Sequence, residues 1–481
     1  NDIDYSYDSK GQLTSVTDEI GSYMNMTYDS NGNVISATNG AGTTTQFTYD
    51  TDGNCTSKTL TYTSEEGVKS VTENYFYDDA GNLIKIIDSE GNVTATEYNS
   101  MGKVSSATDE KGRKTSYDYD DFGNLVKITY PDNTTEKFTY DREGNNLSAT
   151  DRMGRTVTMK YDKVGNLVSK TYPNGAGVSY VYDANYNLVS ETSACGGVTY
   201  YEYDKIGRNT AIVDALGNCT TFFYNAKSQL ESMTDPMGRT YTYSYDDNCN
   251  RIKTTYPDGT SVSSVYDARG RVTRQSDQHG YNTYYVYDGA DRLVRVTNAQ
   301  GVSTSYTYDE VGNMTSVTDG NGNVTAYAYD DFGRVIKTTN ALGNSAYTTY
   351  DKNGNVLTST DYAGSLTSYT YDSLDRVSSK TTPDGTVSFA YTADGKISTV
   401  TDNSGVTSFT YDNMDGLTRV DYPDGNYVSY SYDNACRLTK VTTPFGSTSY
   451  EYDLLDRLTR VVDRNGYATV YEYDANGNRT A

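Results

Sequence analysis

The side chains that could carry chemistry in this chain are almost all carboxylates. Sixty-four Asp and Glu residues stand against a single histidine, His279, and five cysteines, Cys55, Cys195, Cys219, Cys249 and Cys436. A nucleophilic centre needs Cys or Ser with His and Asp in reach, and a zinc centre needs clustered Cys and His. His279 sits beside Gly280 in a turn-like stretch, and no Cys/His or Ser/His/Asp arrangement assembles around it. The cysteines form no Cys-x-x-Cys pair, so they read as unpaired turn or strand residues rather than as a disulfide framework. Two acidic stretches, Asp29-Ser30-Asn31-Gly32-Asn33 and Asp50-Thr51-Asp52-Gly53-Asn54, look superficially like calcium loops. An EF-hand places Gly sixth and Glu twelfth, whereas here Gly comes fourth and no matching Glu follows. The expected role of the Asp is therefore to accept amide hydrogens of its own turn, a task Asn99 and Asn225 can also perform. No catalytic, cofactor-binding or metal-binding residue is assigned.

The carboxylates recur at one phase of a repeat, which points to a joint rather than a local site. Tyr-Asp steps include Tyr7-Asp8, Tyr28-Asp29, Tyr49-Asp50, Tyr77-Asp78, Tyr119-Asp120, Tyr161-Asp162, Tyr203-Asp204, Tyr308-Asp309 and Tyr329-Asp330. The Tyr recurs in 23 copies, 21 residues apart without a slip from Tyr77 to Tyr371. Such a period is the mark of a repeat architecture, in which each unit is stabilised by its neighbours. The expected organisation is a single array over residues 1–481.

Within a unit, a Gly such as Gly123 stands four residues after the Tyr in most copies. Where it is missing, Asp291, Asp375, Asp415, Asp456, Ser228, Cys249, Cys436 or Tyr186 replaces it. Asp tolerates a left-handed backbone better than most residues, so this exchange predicts positive φ at that position. An aliphatic residue follows two places on, as at Leu13, Val34, Leu83 and Leu125, and opens a strand rich in Ser, Thr and Val. A second turn comes next, and all seven prolines, 131, 173, 236, 257, 383, 423 and 444, lie in it. Proline lacks the ladder donor, so it marks where strands stop. The second strand then alternates, as in Thr115-Ser116-Tyr117-Asp118-Tyr119, placing the β-branched residue and both aromatics on one face. Dense Gly, Asn, Asp and Thr without a 3.6-residue pattern exclude helix.

Two strands and two turns in 21 residues predict an antiparallel meander of about 45 strands, roughly 200 Å along its hydrogen-bonding direction. So long a sheet must twist, and its aromatic face predicts coiling. The 28 residues between Tyr49 and Tyr77 predict a longer hairpin at about 55–75, and three units after Tyr371 are one residue short.

A formal charge of −24 and a pI near 4.4 exclude nucleic acid as a partner, since phosphate binding needs clustered Lys and Arg. No run is long and apolar enough for a membrane span, and no signal peptide is evident. The chain starts and stops inside repeats, which suggests a piece of a longer protein. With 51 Tyr, 10 Phe and no Trp, tyrosine must supply what aliphatic packing lacks. Aromatic columns also suit sugar stacking, but a packed cross-strand ladder explains Tyr at a fixed phase more simply.

The motif Tyr-Asp-x-x-Gly-Arg/Asn-Leu, with variants Tyr371-Asp372-Ser373-Leu374-Asp375-Arg376-Val377 and Tyr452-Asp453-Leu454-Leu455-Asp456-Arg457-Leu458, resembles the YD repeats of the RHS family. Bacterial RHS and wall-associated toxins, toxin-complex cocoon subunits and teneurins share them. The resemblance implies an all-β sheet that spirals into a hollow shell, enclosing a C-terminal effector in the toxins and serving cell-surface adhesion in teneurins. It departs from the family in lacking a C-terminal Asp-Pro-x-Gly-Leu core segment and a toxin domain, so an open spiral or solenoid-like array is the alternative architecture. The implied function is a non-enzymatic shell or scaffold segment of a large secreted or surface protein of bacterial type. Its partners would be an encapsulated effector or other repeats in self-association. The alternative is an adhesin-like module whose exposed Tyr and Asp bind glycans or proteins. No cofactor is implied.

Overall fold

The computed structural model describes residues 3–18, 21–64 and 67–481. Among the described residues every regular element is a strand: 45 antiparallel strands of one sheet run from Asp4–Tyr7 to Ala468–Val470, with no helix. The chain divides into two compact units. One comprises Asn1–Ser116, Tyr245–Lys253 and Ser261–Thr370, and the other Tyr117–Ser244, Thr254–Thr260 and Tyr371–Ala481.

Within each unit, successive strands pair as hairpins because the turns are too short for any other connection. In the second unit Thr135–Tyr140 pairs with Asn146–Thr150, which pairs in turn with Thr156–Tyr161. In the first unit Ser303–Tyr308 pairs with Met314–Thr318, and that strand with Val324–Tyr329. The register shifts at each joint: Thr139 faces Ser148, but Tyr140 faces Asn146. The same bulge falls between Thr307 and Tyr308. It follows from the turn, in which a left-handed residue lets a type I turn close onto a twisted hairpin. Gly123 there has φ 82°, and Asp291, Asp375, Asp415 and Asp456 adopt 60–67°. Ser228, Cys249, Cys436 and Tyr186 also have positive φ, as the exchange of Gly for these residues requires.

The two longest strands of the first unit are Cys55–Ser64 and Gly67–Tyr77, of 10 and 11 residues. Glu65 and Glu66 at their connection lie outside the described residues, as does Asn1. The three shortened copies close their second turn on two residues instead, with Thr382 paired to Gly385, Asp402 to Gly405 and Thr443 to Gly446.

Side chains alternate across the sheet. In Gly177–Tyr182, Val178, Tyr180 and Tyr182 are half-buried, while Gly177, Ser179 and Val181 are exposed. Among the described residues there is no deep core. The buried apolar residues are Val16, Ala176, Ala211 and Val420, and no described side chain is fully buried. A half-buried Tyr contributes about 1 kcal/mol, roughly half the ~1.5–3 of full burial of a large apolar side chain. Stability therefore rests heavily on ladder and turn hydrogen bonds, and that makes the joint the place to look for what the sequence specifies.

Candidate functional site

Most joints begin with a carboxylate whose oxygens are occupied by its own turn. Asp50 Oδ1 accepts the backbone N–H of Asp52 at 3.0 Å and of Asn54 at 2.8 Å, and Oδ2 accepts Asn54 Nδ2 at 3.0 Å. The turn itself closes with the Asp50 N–H donating to Asn54 O and the Gly53 N–H to Asp50 O. Asp29, Asp78, Asp120, Asp162 and Asp309 repeat this arrangement, and Asp8 accepts from the amides of Lys10 and Gln12. Asn99 accepts from the amides of Met101 and Lys103, and Asn225 from those of Lys227 and Gln229. Donors to the charged form favour ionisation. The Asn54 side-chain amide, with the turn N–H groups, holds Asp50 below the ordinary carboxylate range, and the same donors from Asn82 and Asn124 lower Asp78 and Asp120. A carboxylate so engaged is a turn cap. Among the described residues no group of three or more His, Cys, Asp and Glu could hold a metal ion.

In most joints the tyrosine ties one copy to the copy before it. Tyr28 Oη donates to Leu13 O at 2.7 Å, Tyr49 to Val34 O at 2.8 Å and Tyr203 to Leu188 O at 2.9 Å. Tyr308 reaches Leu293 O at 2.8 Å and Tyr329 reaches Met314 O at 2.7 Å. Tyr77 makes the same bond to Cys55 O across the longer hairpin. Tyr161 differs, with its hydroxyl 3.9 Å from Met159 Sδ. Tyr119 ends its strand half-buried, with burial raising its phenol pKa, and Tyr7 stands exposed.

A further residue acts at the joint: the one that follows the left-handed position. Where it is Arg, it grips three groups in two copies. Arg292 Nε donates to Asp288 Oδ2 at 2.7 Å, its guanidinium lies 4.8 Å from the ring centroid of Tyr308, and Nη1 donates to Asp309 O at 2.7 Å. Arg208, Arg271, Arg334, Arg376, Arg437 and Arg457 stack on the next copy's Tyr in the same way. The guanidinium is suited to this because it combines a planar stacking face with directed donors. The sequence carried a signal for it, an Arg placed 15 to 16 residues before the next repeat Tyr.

In both units the ribbon also meets itself edge to edge. The second turns of early copies lie against the Tyr-Asp turns of later ones. In the first unit Asn353 Nδ2 donates to Asp109 Oδ2 at 2.8 Å, Lys111 Nζ lies 2.5 Å from Asp351 Oδ2, and Thr43 Oγ1 donates to Glu310 O. The long hairpin joins this seam, with the Thr63 N–H donating to Glu310 Oε2 and Tyr62 Oη to Asp331 Oδ1. A cleft of about 320 Å³ lies beneath it, lined by Lys58, Tyr62, Glu73, Asp331 and Phe332 among others. In the second unit Arg155 bonds Asp151, Asp394 and Asp415 together. Asn413 Nδ2 donates to Pro173 O, Asn174 Nδ2 to Asn434 O, and Asn476 Nδ2 to Asp235 Oδ2 at 2.7 Å. Asp235 titrates at about 2: burial would raise it, but bonds from Arg239 and Asn476 outweigh that cost.

Elsewhere chemistry is sparse. The His279 N–H donates to Asp277 Oδ1 inside a second turn, and its ring lies 6.1 Å from that of Tyr281. The five cysteines are free thiols. Among the described residues no helix is long and apolar enough to cross a membrane.

Comparison with known proteins agrees with this geometry. The RHS Repeat family model matches residues 28–65, 224–261, 266–303, 287–324, 308–345 and 452–481, and the Teneurin YD-shell model matches 73–199 and 342–449. The crystal structure of TcdB2-TccC3-TEV is similar at 13% identity and a TM-score of 0.61, covering 99% of this chain and 35% of that one. TcdB2-TccC3 without its hypervariable C-terminal region gives 13% identity and a TM-score of 0.57, covering 99% and 38%. TcdB2-TccC3 gives 14% and 0.54, covering 99% and 36%. At such identities the likeness is one of fold, and the chain spans little more than a third of those chains. No curated protein sequence matches significantly.

Proposed function

We propose, from the premise that this chain belongs to the RHS/YD-repeat family, that it is a non-enzymatic wall segment of a large secreted or surface-displayed protein. Its work is to build a shell that encloses or displays an effector domain. The lateral seams carry this reading. A repeat ribbon whose opposite edges recognise one another, as Asn353 meets Asp109 and Asn476 meets Asp235, is a ribbon made to form a continuous wall. Capped joints support it too, because their carboxylates and phenols are committed to neighbouring backbone and side-chain groups rather than presented to a substrate.

The test is protease protection in the full-length parent protein. The effector portion should survive digestion while the seams are intact and be cut once Arg155→Glu opens one, with far-UV circular dichroism reporting that the sheet persists. An effector cut equally fast in both proteins would exclude the container, and a low-resolution reconstruction without an internal space would exclude the shell.

A further inference from the structure

In each unit one seam bond is made by an asparagine that stands immediately before the left-handed glycine of a Tyr-Asp turn. Asn353 precedes Gly354 in the first unit, and Asn476 precedes Gly477 in the second. Their side-chain amides donate to Asp109 Oδ2 at 2.8 Å and to Asp235 Oδ2 at 2.7 Å. An Asn-Gly step is chemically labile, because glycine has no Cβ to keep its backbone nitrogen from the asparagine side chain. That nitrogen, on losing its proton, attacks Cγ, the Cγ–Nδ2 bond breaks and ammonia leaves. Water then opens the succinimide at one of its two carbonyls to give aspartate or isoaspartate, so the net change is amide plus water to carboxylate plus ammonium.

Two restraints hold the closed seam short of this step. The attacking nitrogens are tied into their turns, with the Gly354 N–H donating to Asp351 O and the Gly477 N–H to Asp474 O, each at 3.0 Å. The leaving groups are tied across the seam to Asp109 and Asp235. For Cγ to meet its own backbone nitrogen, both bonds must break.

We propose that Asn353 and Asn476 are deamidation sites gated by the seams: a closed seam suppresses the reaction, and the reaction, once it has occurred, keeps its seam from closing again. A carboxylate in place of either amide sets acceptor against acceptor and negative charge against negative charge. The nearby cations are already committed. Arg113 Nε donates to Asp109 at 2.7 Å, Lys111 lies 2.5 Å from Asp351, and Arg239 Nε donates to Asp235 at 2.7 Å. Asn476 Oδ1 is buried and accepts no hydrogen bond among the described residues, so no donor waits there for the new charge. The inference needs the seams but no enclosed effector.

Peptide mass spectrometry on the full-length protein, held in mildly alkaline buffer, reads the conversion of each asparagine separately. Asp109→Ser leaves a turn that serine can open, as Ser193 does at the equivalent position, but removes the acceptor that Asn353 uses. It should speed conversion at Asn353 at least ~10-fold, the factor that a lost charge-assisted hydrogen bond implies, and leave Asn476 at its wild-type rate. Asp235→Ser should do the reverse. The product is tested directly by Asn353→Asp, which should speed hydrogen exchange in the Asp109 turn more than Asn353→Ser, since only the first adds charge. Equal or undetectable conversion in wild type and both serine variants at Asp109 and Asp235 would overturn the proposal. So would a rise at both asparagines in either variant, which means global opening, or an Asn353→Asp protein that exchanges no faster than Asn353→Ser. No readout involves an effector, so this test and that of the container fail independently.

Discussion

Arg155 and Asp394 are 239 positions apart in sequence and 2.7 Å apart in space. The guanidinium also bonds Asp151, one second-turn carboxylate, and Asp415, one carboxylate of a later Tyr-Asp turn, so one cation holds three anions across the seam. Removing it leaves those anions facing each other. Side chains of Arg155 and Asp394 are 15% and 13% exposed, so the loss should fall somewhat below the ~3–5 kcal/mol of a fully buried pair, at about 2–3 kcal/mol for Arg155→Ala. Urea denaturation gives the number. Adding Asp394→Asn to Arg155→Ala should recover part of it, and a loss under about 0.5 kcal/mol would mean that the seam is only a surface contact.

Arg292 makes a sharper case, because the shape of its head group matters. Lysine keeps the charge but cannot stack flat on Tyr308 while donating to both Asp288 and Asp309. Arg292→Lys should therefore cost nearly as much as Arg292→Ala, about 1–2 kcal/mol in either case. Hydrogen exchange at the Asp309 turn would localise the effect. A lysine variant as stable as wild type would show that charge alone suffices.

These two arginines mark the boundary of what was legible in the sequence. The joint could be read because its causes are local: a residue standing in for Gly123 needs positive φ, and Asp120 needs its own turn's amides. The arginine staple was visible only as a motif letter, since its stacking partner belongs to the next copy. The seam had no local signature at all. Which second turn meets which Tyr-Asp turn depends on small twists summed over many strands, so Asp109 carries nothing in its neighbourhood that names Asn353.

The caps predict how stability depends on pH at both ends. Asp50, Asp78 and Asp120 titrate below their ordinary value of 3.8, so their contribution is present above that value and is lost as pH falls through the lower folded one. Tyr182, Tyr308 and Tyr329 titrate above their ordinary 10.0 because burial disfavours the phenolate, so their contribution is complete below pH 10.0 and is lost as pH rises beyond it. Thermal melting should thus be nearly flat between these limits as far as these groups decide it. Asp120→Asn should keep the amide bonds, as Asn99 does, and exchange at the Asn124 amide should then lose its acid dependence. An acid midpoint unmoved by replacing several caps at once would show that other groups govern acid unfolding.

Position 123 tests whether the turn, rather than the strands, dictates the residue type. Gly123 has φ 82°, and the equivalent residues Asp291, Asp375 and Asp415 hold φ near 60–67° without help from glycine. Asp reaches this region at small cost because its short polar side chain bonds locally, whereas an ordinary Cβ costs roughly 1–2 kcal/mol there. A β-branched side chain costs more, because both γ branches crowd the backbone. Gly123→Asp should therefore lose under about 1 kcal/mol, Gly123→Ala about 1–2, and Gly123→Val more than about 2. Asp121 and Phe122 at the tip of the turn are exposed, so packing changes there should add little to the order. Chemical denaturation of the three variants measures it directly. If Val were tolerated as well as Asp, the left-handed residue would not be what fixes the joint, and the recurrence of Gly, Asp and Cys at this one phase would need another cause.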